Sequence, residues 1–151
     1  MSTLRRLIRR ARDERGAAII EFALVAPILL TLVWGIIETG RAFYTINSLA
    51  SAVRDGARFG AATCPLQTSG PAAGMPAIDL CRPQILGVVR TGFQAIGDTL
   101  VDSDIVVTVL GTGSLTRIEV VANYPYTPIV PIGGWDLTIT RRAVFRYERA
   151  P

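Results

Sequence analysis

The chain contains no histidine, and every one of its basic residues is an arginine. Without imidazole it lacks the commonest general base near neutral pH and the commonest metal ligand. Without lysine it has no amine for a Schiff base and no P-loop lysine for a phosphate. Cysteine is nearly as scarce, with Cys64 and Cys81 the whole supply. Two thiols with no imidazole partner make neither a zinc centre nor a thiol nucleophile, and the serines lack a triad for the same reason. Gly111-x-Gly113 has no third glycine and no helix after it, so a dinucleotide loop fails. Asp98, Asp102 and Asp104 do not follow the calcium-loop spacing and read as turn residues. The expectation is a non-enzyme that holds no metal and no cofactor.

Charge is just as unevenly spread. Residues 1–16 (MSTLRRLIRRARDERG) set Arg5, Arg6, Arg9, Arg10, Arg12 and Arg15 against Asp13 and Glu14. That local excess equals the net charge of the whole chain, +4, so everything after it is balanced. The basic character therefore belongs to a short leader that orients a membrane segment. It is no footprint for DNA or RNA, and no nucleic-acid partner is expected.

What the chain has in quantity is apolar sequence in one run. Residues 17–37 carry a single charge, Glu21. As a helix rising 1.5 Å per residue the run is roughly 31 Å long, enough to cross a hydrocarbon core of about 30 Å. The arginines before it hold the N-terminus in the cytoplasm and send the C-terminal part across. A secretory signal fits poorly, because the apolar core is too long, contains a carboxylate and lacks an A-x-A site after it. Glu21 lies about 6 Å inside the span, where an ionisable group is costly unless paired. Pro27 cannot donate to the Ala23 carbonyl and predicts a kink. Trp34, near the far end, suits an interfacial anchor.

Helical spacing continues through residues 38–62, with Phe43, Ile46, Ala50, Val53, Ala57 and Ala61 on one face. Most of these are small, which suits close helix–helix approach. Pro65 stops the helix. Residues 63–151 form the exported domain, on the oxidising side, where Cys64 and Cys81 are expected to be disulfide-bonded, the alternative being two buried thiols. A loop rich in Pro, Gly and Ala covers 64–83, and a short amphipathic helix covers 84–96. Residues 98–104 turn the chain. Strands are predicted over Ile105–Leu110, 117–124 and 137–147, with a hairpin loop at 111–114. The three prolines of 124–134 exclude that stretch from a central strand and make it an exposed connector. The fold class is α+β: a long N-terminal transmembrane and amphipathic helix, a short helix, and a small antiparallel sheet of about three strands.

Residues 16–22 read GAAIIEF, a basic leader ending in glycine, then four apolar residues, then Glu-Phe. This resembles the processing site of type IV pilins and pseudopilins, in the form used by the Flp/Tad (tight adherence) branch. The continuation to residue 61 is similar to the TadE-like family, through Glu21 and Pro27 in the span, ETGR at 38–41 and the alanine-rich segment bearing Arg54 and Arg58. The resemblance implies that a prepilin peptidase cuts between Gly16 and Ala17 and removes 1–16. It implies that the freed Ala17 amine meets the Glu21 carboxylate of a neighbouring subunit, with Phe22 part of the same assembly motif. The implied partners are that peptidase, other pilins or pseudopilins, the inner-membrane assembly platform and lipid. The implied role is a minor pilin or pseudopilin supporting pilus biogenesis and adhesion, anchored once in the bacterial inner membrane with a periplasmic domain, or carried into a surface pilus. Two other readings stay open: an unprocessed bitopic protein whose exported domain binds a ligand or receptor, and a pseudopilin of type II secretion.

Overall fold

The computed structural model describes residues 2–68, 70–71, 73–93, 99–112, 115–129 and 137–147, with side chains from residue 16 onward. The chain divides into two units, Met1–Gly40 and Arg41–Pro151. In order the elements are helix α1 (Ser2–Thr63), helix α2 (Ile78–Gly92), a 3-10 turn at Asp102–Asp104, and strands β1 (Ile105–Leu110), β2 (Arg117–Tyr126) and β3 (Leu137–Arg146). The α+β layout is the expected one.

The first unit is helix alone. Apolar side chains point outward all round it, and none of its apolar window is buried within the chain. Two threonines turn their hydroxyls to the backbone one turn back: Thr31 donates to the Pro27 carbonyl at 2.8 Å and Thr39 to the Gly35 carbonyl at 2.7 Å. Such bonds satisfy polar groups inside an apolar segment without any partner.

The second unit has two layers. β1, β2 and β3 form an antiparallel meander with β2 in the middle. Alternation along β2 turns Ile118, Val120, Ala122, Tyr124 and Tyr126 to the buried face. Ile105 and Val107 of β1 and Ala143 of β3 join them. Against this face lie α2 and the part of α1 after residue 40, which contribute Leu49, Ala52, Val53, Ala57, Ile78, Ile85 and Val89 to one core, joined by Phe93 just past α2. Phe93 and Tyr124 meet with ring centroids 5.0 Å apart.

Three expectations need correction. Helix α2 begins at Ile78 rather than at residue 84, so 78–83 is not loop. Ile78, Cys81, Ile85 and Val89 form its buried stripe, and that stripe carries the helix through Pro83 although one backbone hydrogen bond is lost there. The helix ends at Gly92; Ile96 and Asp98 lie outside the described residues. Next, β2 runs on through Tyr124, Pro125 and Tyr126. The ladder with β1 stops at Ala122, so beyond it β2 has β3 as its one partner and behaves as an edge, where proline is tolerated. β3 correspondingly stops at Arg146, one residue short.

The third correction concerns the buried face of α1. Phe43 is exposed, Ile46 and Ala50 are half-buried, and the stripe inside is Thr45, Leu49, Ala52, Val53, Gly56, Ala57, Gly60, Ala61 and Cys64. Glycine carries no apolar weight in a periodicity count, yet here it governs packing. A Cβ on Gly56 would sit 2.3 Å from Val89 Cγ2, and one on Gly60 would sit 2.8 Å from Ile85 Cδ1. At Gly92 a Cβ would touch Ala52 at 3.4 Å. Cys64 meets Cys81, Gly60 meets Ile85, Gly56 meets Val89 and Ala52 meets Gly92, so the two helices run antiparallel in a close hairpin.

Candidate functional site

The residues singled out by the sequence fall in two places. Gly16, Ala17, Glu21, Phe22 and Pro27 lie in the first unit, and Cys64 and Cys81 in the second. Each is described within its own unit.

In the first unit α1 continues through Gly16 and Ala17, so that peptide bond lies inside a helix. Glycine is the weakest helix former after proline, costing about 1 kcal/mol relative to alanine, which makes Gly16 the easiest point of this stretch to unwind. Nothing would crowd a side chain there, so the glycine answers no packing demand within the chain. One turn further on is Glu21, on the same face as Ala17 by the four-residue spacing. Glu21 is exposed, and among the described residues it makes neither an ion pair nor a hydrogen bond. Phe22 beside it is 73% exposed. Ile19, Ile20, Leu24, Ile28, Leu29, Leu30, Leu32 and Ile36 are exposed likewise. A soluble helix does not display apolar side chains on every side. The stretch from Gly16 is apolar and long enough to cross a membrane. Pro27 sits within the helix, and Thr31 occupies its carbonyl.

In the second unit Cys64 and Cys81 are joined by a disulfide with Cα atoms 5.5 Å apart. It closes the helix hairpin at the end of α1. The same end receives a second fastening that the sequence did not suggest. The Tyr147 hydroxyl, just past β3, donates to the Cys64 carbonyl, and the Tyr147 amide donates to the Thr116 carbonyl at 2.9 Å. Tyr147 and Thr116 are buried. At the opposite end of the sheet the Arg41 guanidinium lies over the Tyr126 ring, 5.7 Å from its centroid. The outward face of the sheet carries two separate polar groupings among the described residues. Glu119 accepts from Thr108 at 3.0 Å and pairs with Arg142 at 3.3 Å, and Thr140 donates to Asn123 at 2.7 Å. Gly56 and Gly60 were missed as packing residues; a search for small residues four apart would have found them.

The family model of TadE-like proteins matches residues 16–58. Over this stretch the chain is similar to TadE-like proteins. The match begins at the glycine that precedes the apolar run and ends inside the glycine-containing face that packs on α2. It thus covers the exposed apolar helix, Glu21 and Pro27, together with ETGR at 38–41 and both Arg54 and Arg58. No curated protein and no solved structure matches the chain. The TadE-like segment accordingly supplies the functional argument, and the sheet domain is read from its own chemistry.

Proposed function

We propose that this protein is a membrane-anchored component of a Tad-type pilus system, a minor pilin or pseudopilin whose work is association rather than catalysis. The observation that carries the reading is the position of an unpaired Glu21 one helical turn from Ala17, in an exposed apolar helix over the stretch similar to TadE-like proteins. A lone carboxylate at that depth needs a cation. Cleavage after Gly16 would create one, the α-ammonium of Ala17, on the face that Glu21 occupies and open to a neighbouring subunit. The arginines of 1–16 would stay in the cytoplasm and residues 63–151 would be exported to the periplasm. A prepilin peptidase acts on the protein in this scheme, after local unwinding of the helix at Gly16. Other pilins or pseudopilins, the assembly platform and lipid are its partners, and adhesion is a property of the structure it helps to build.

The test is the N-terminus of the protein extracted from membranes of a strain with its own peptidase, read by intact mass and N-terminal sequencing. The expected first residue is Ala17, reverting to Met1 when the peptidase is deleted. Protein that begins at Met1 in both strains would remove the processing step and leave the unprocessed bitopic reading in its place.

A further inference from the structure

The strand register lays out the outward face of the sheet in rows. One row holds Leu110, Arg117 and Arg146, and the next holds Thr108, Glu119 and Val144. Arg117 and Arg146 are therefore directly opposite each other on β2 and β3, where Cβ atoms stand about 4.5–5.5 Å apart. Both side chains are exposed, and among the described residues neither makes an ion pair or a side-chain hydrogen bond. The three strands contain one carboxylate, Glu119, and it is engaged elsewhere. It accepts from Thr108 at 3.0 Å and pairs with Arg142 at 3.3 Å, and its side chain is only 14% exposed.

Like charges directly opposite on a ladder destabilise it, so this pair works against the fold. Charge on an edge strand guards against unwanted strand pairing, which accounts for Arg146. It does not account for Arg117, because β2 is the middle strand. Each guanidinium presents a planar fork of donors and stays charged at every physiological pH. Side chains on one sheet face stand roughly parallel, so two forks on adjacent strands can close on one oxyanion from both sides. Leu110 and Val144 flank them with exposed apolar surface, and a less polar surround strengthens a charge-assisted bond. A carboxylate would bring one charge to this doubly positive cradle. A phosphate monoester brings about two, with three acceptor oxygens.

We propose that Arg117 and Arg146 form a binding site for a phosphate dianion, either free inorganic phosphate or a phosphate group carried on a sugar. The proposal uses the second unit alone and is independent of cleavage after Gly16 and of the pilus reading. Arg117 and Arg146 both hold the anion, and Glu119 keeps Arg142 out of the site by pairing with it. Arg54 and Arg58, one turn apart on α1, are also exposed, but Asp55 lies beside them on the exposed side of that helix.

The experiment uses the full chain with isotope-labelled arginine in micelles of dodecyl maltoside, an uncharged detergent, and follows the arginine Nε–H signals by NMR at constant ionic strength. The probes are inorganic phosphate, glucose monophosphate and, as a singly charged control, dimethyl phosphate. The expected result is a saturable shift at Arg117 and Arg146 with the first two probes and several-fold weaker binding of the third. Arg117→Gln and Arg146→Gln should each weaken phosphate binding about tenfold or more. Arg117→Lys, which keeps the charge and loses the fork, should fall between. All these positions are exposed, so the fold is retained. Tighter binding of the sugar ester than of inorganic phosphate assigns the source to a phosphorylated glycan, and equal binding assigns it to the free anion. Shifts that do not saturate, or that are equally large at Arg54 and Arg58, would overturn the site. So would an undiminished phosphate response in Arg146→Glu, which removes the cradle while relieving the repulsion between the strands.

Discussion

The Tyr147 hydroxyl donates its hydrogen bond to the Cys64 carbonyl, and so ties the end of the last strand to the end of the long helix. Both groups are buried, and the residues are 83 positions apart. A carbonyl at a helix C-terminus lacks an intrahelical partner and needs one from elsewhere. Tyr147→Phe would leave that acceptor buried and unsatisfied, at a cost of about 1–3 kcal/mol. Urea denaturation of the full chain in detergent micelles, followed by the far-UV signal of the sheet, measures the loss.

Glycine acts in opposite senses at different helical positions. Gly56→Ala and Gly60→Ala would drive a methyl into Val89 and Ile85, and each is expected to destabilise the domain by about 1–3 kcal/mol. Gly87→Ala, in an exposed position of α2 with nothing within 4 Å, is expected to stabilise it by about 0.5–1 kcal/mol. The same denaturation measurement on the three variants decides. Equal effects would contradict the close approach of α1 and α2.

The disulfide between Cys64 and Cys81 spans 17 residues. Loop-closure entropy for that length gives a loss of about 3 kcal/mol on replacing both cysteines by alanine. The double variant should show a lowered urea midpoint. Treatment of the unmodified protein with a thiol reductant should lower the midpoint by a similar amount.

Arg117 and Arg146 are directly opposite each other on β2 and β3, both exposed. Like charges in that relation are unfavourable, so Arg146→Glu should stabilise the sheet by about 0.5–1 kcal/mol. Added salt should shrink the gain, because it arises between solvent-exposed charges.

Glu21→Ala tests the assembly role separately from membrane insertion. The variant should fractionate with membranes as before, since removing a charge from the span favours insertion. On the proposed function, its co-purification with pilus subunits should fall about tenfold or more, equivalent to at least ~1.4 kcal/mol. Undiminished co-purification would argue against an amine–carboxylate pair as the driving contact.

The apolar run from Ala17 to Ile37, the lone Glu21 and the arginine leader were legible without coordinates, because membrane length and charge placement are one-dimensional properties. So was the chain's existence as a helix followed by short β-branched runs: β1 fell between the predicted residues because period-two alternation is local. The start of α2, the reach of β2 past Pro125 and the buried face of α1 were decided by tertiary contacts. Pro83 and Pro125 looked like terminators until the partner elements were known. Gly56 and Gly60 contributed nothing to a hydrophobic pattern, although they set how closely two helices meet. The link from Tyr147 to Cys64 and the stacking of Arg41 on Tyr126 join residues more than eighty positions apart. No local rule anticipates such pairs, since they exist only once the helix has been laid along the sheet and the two ends of the domain have been defined.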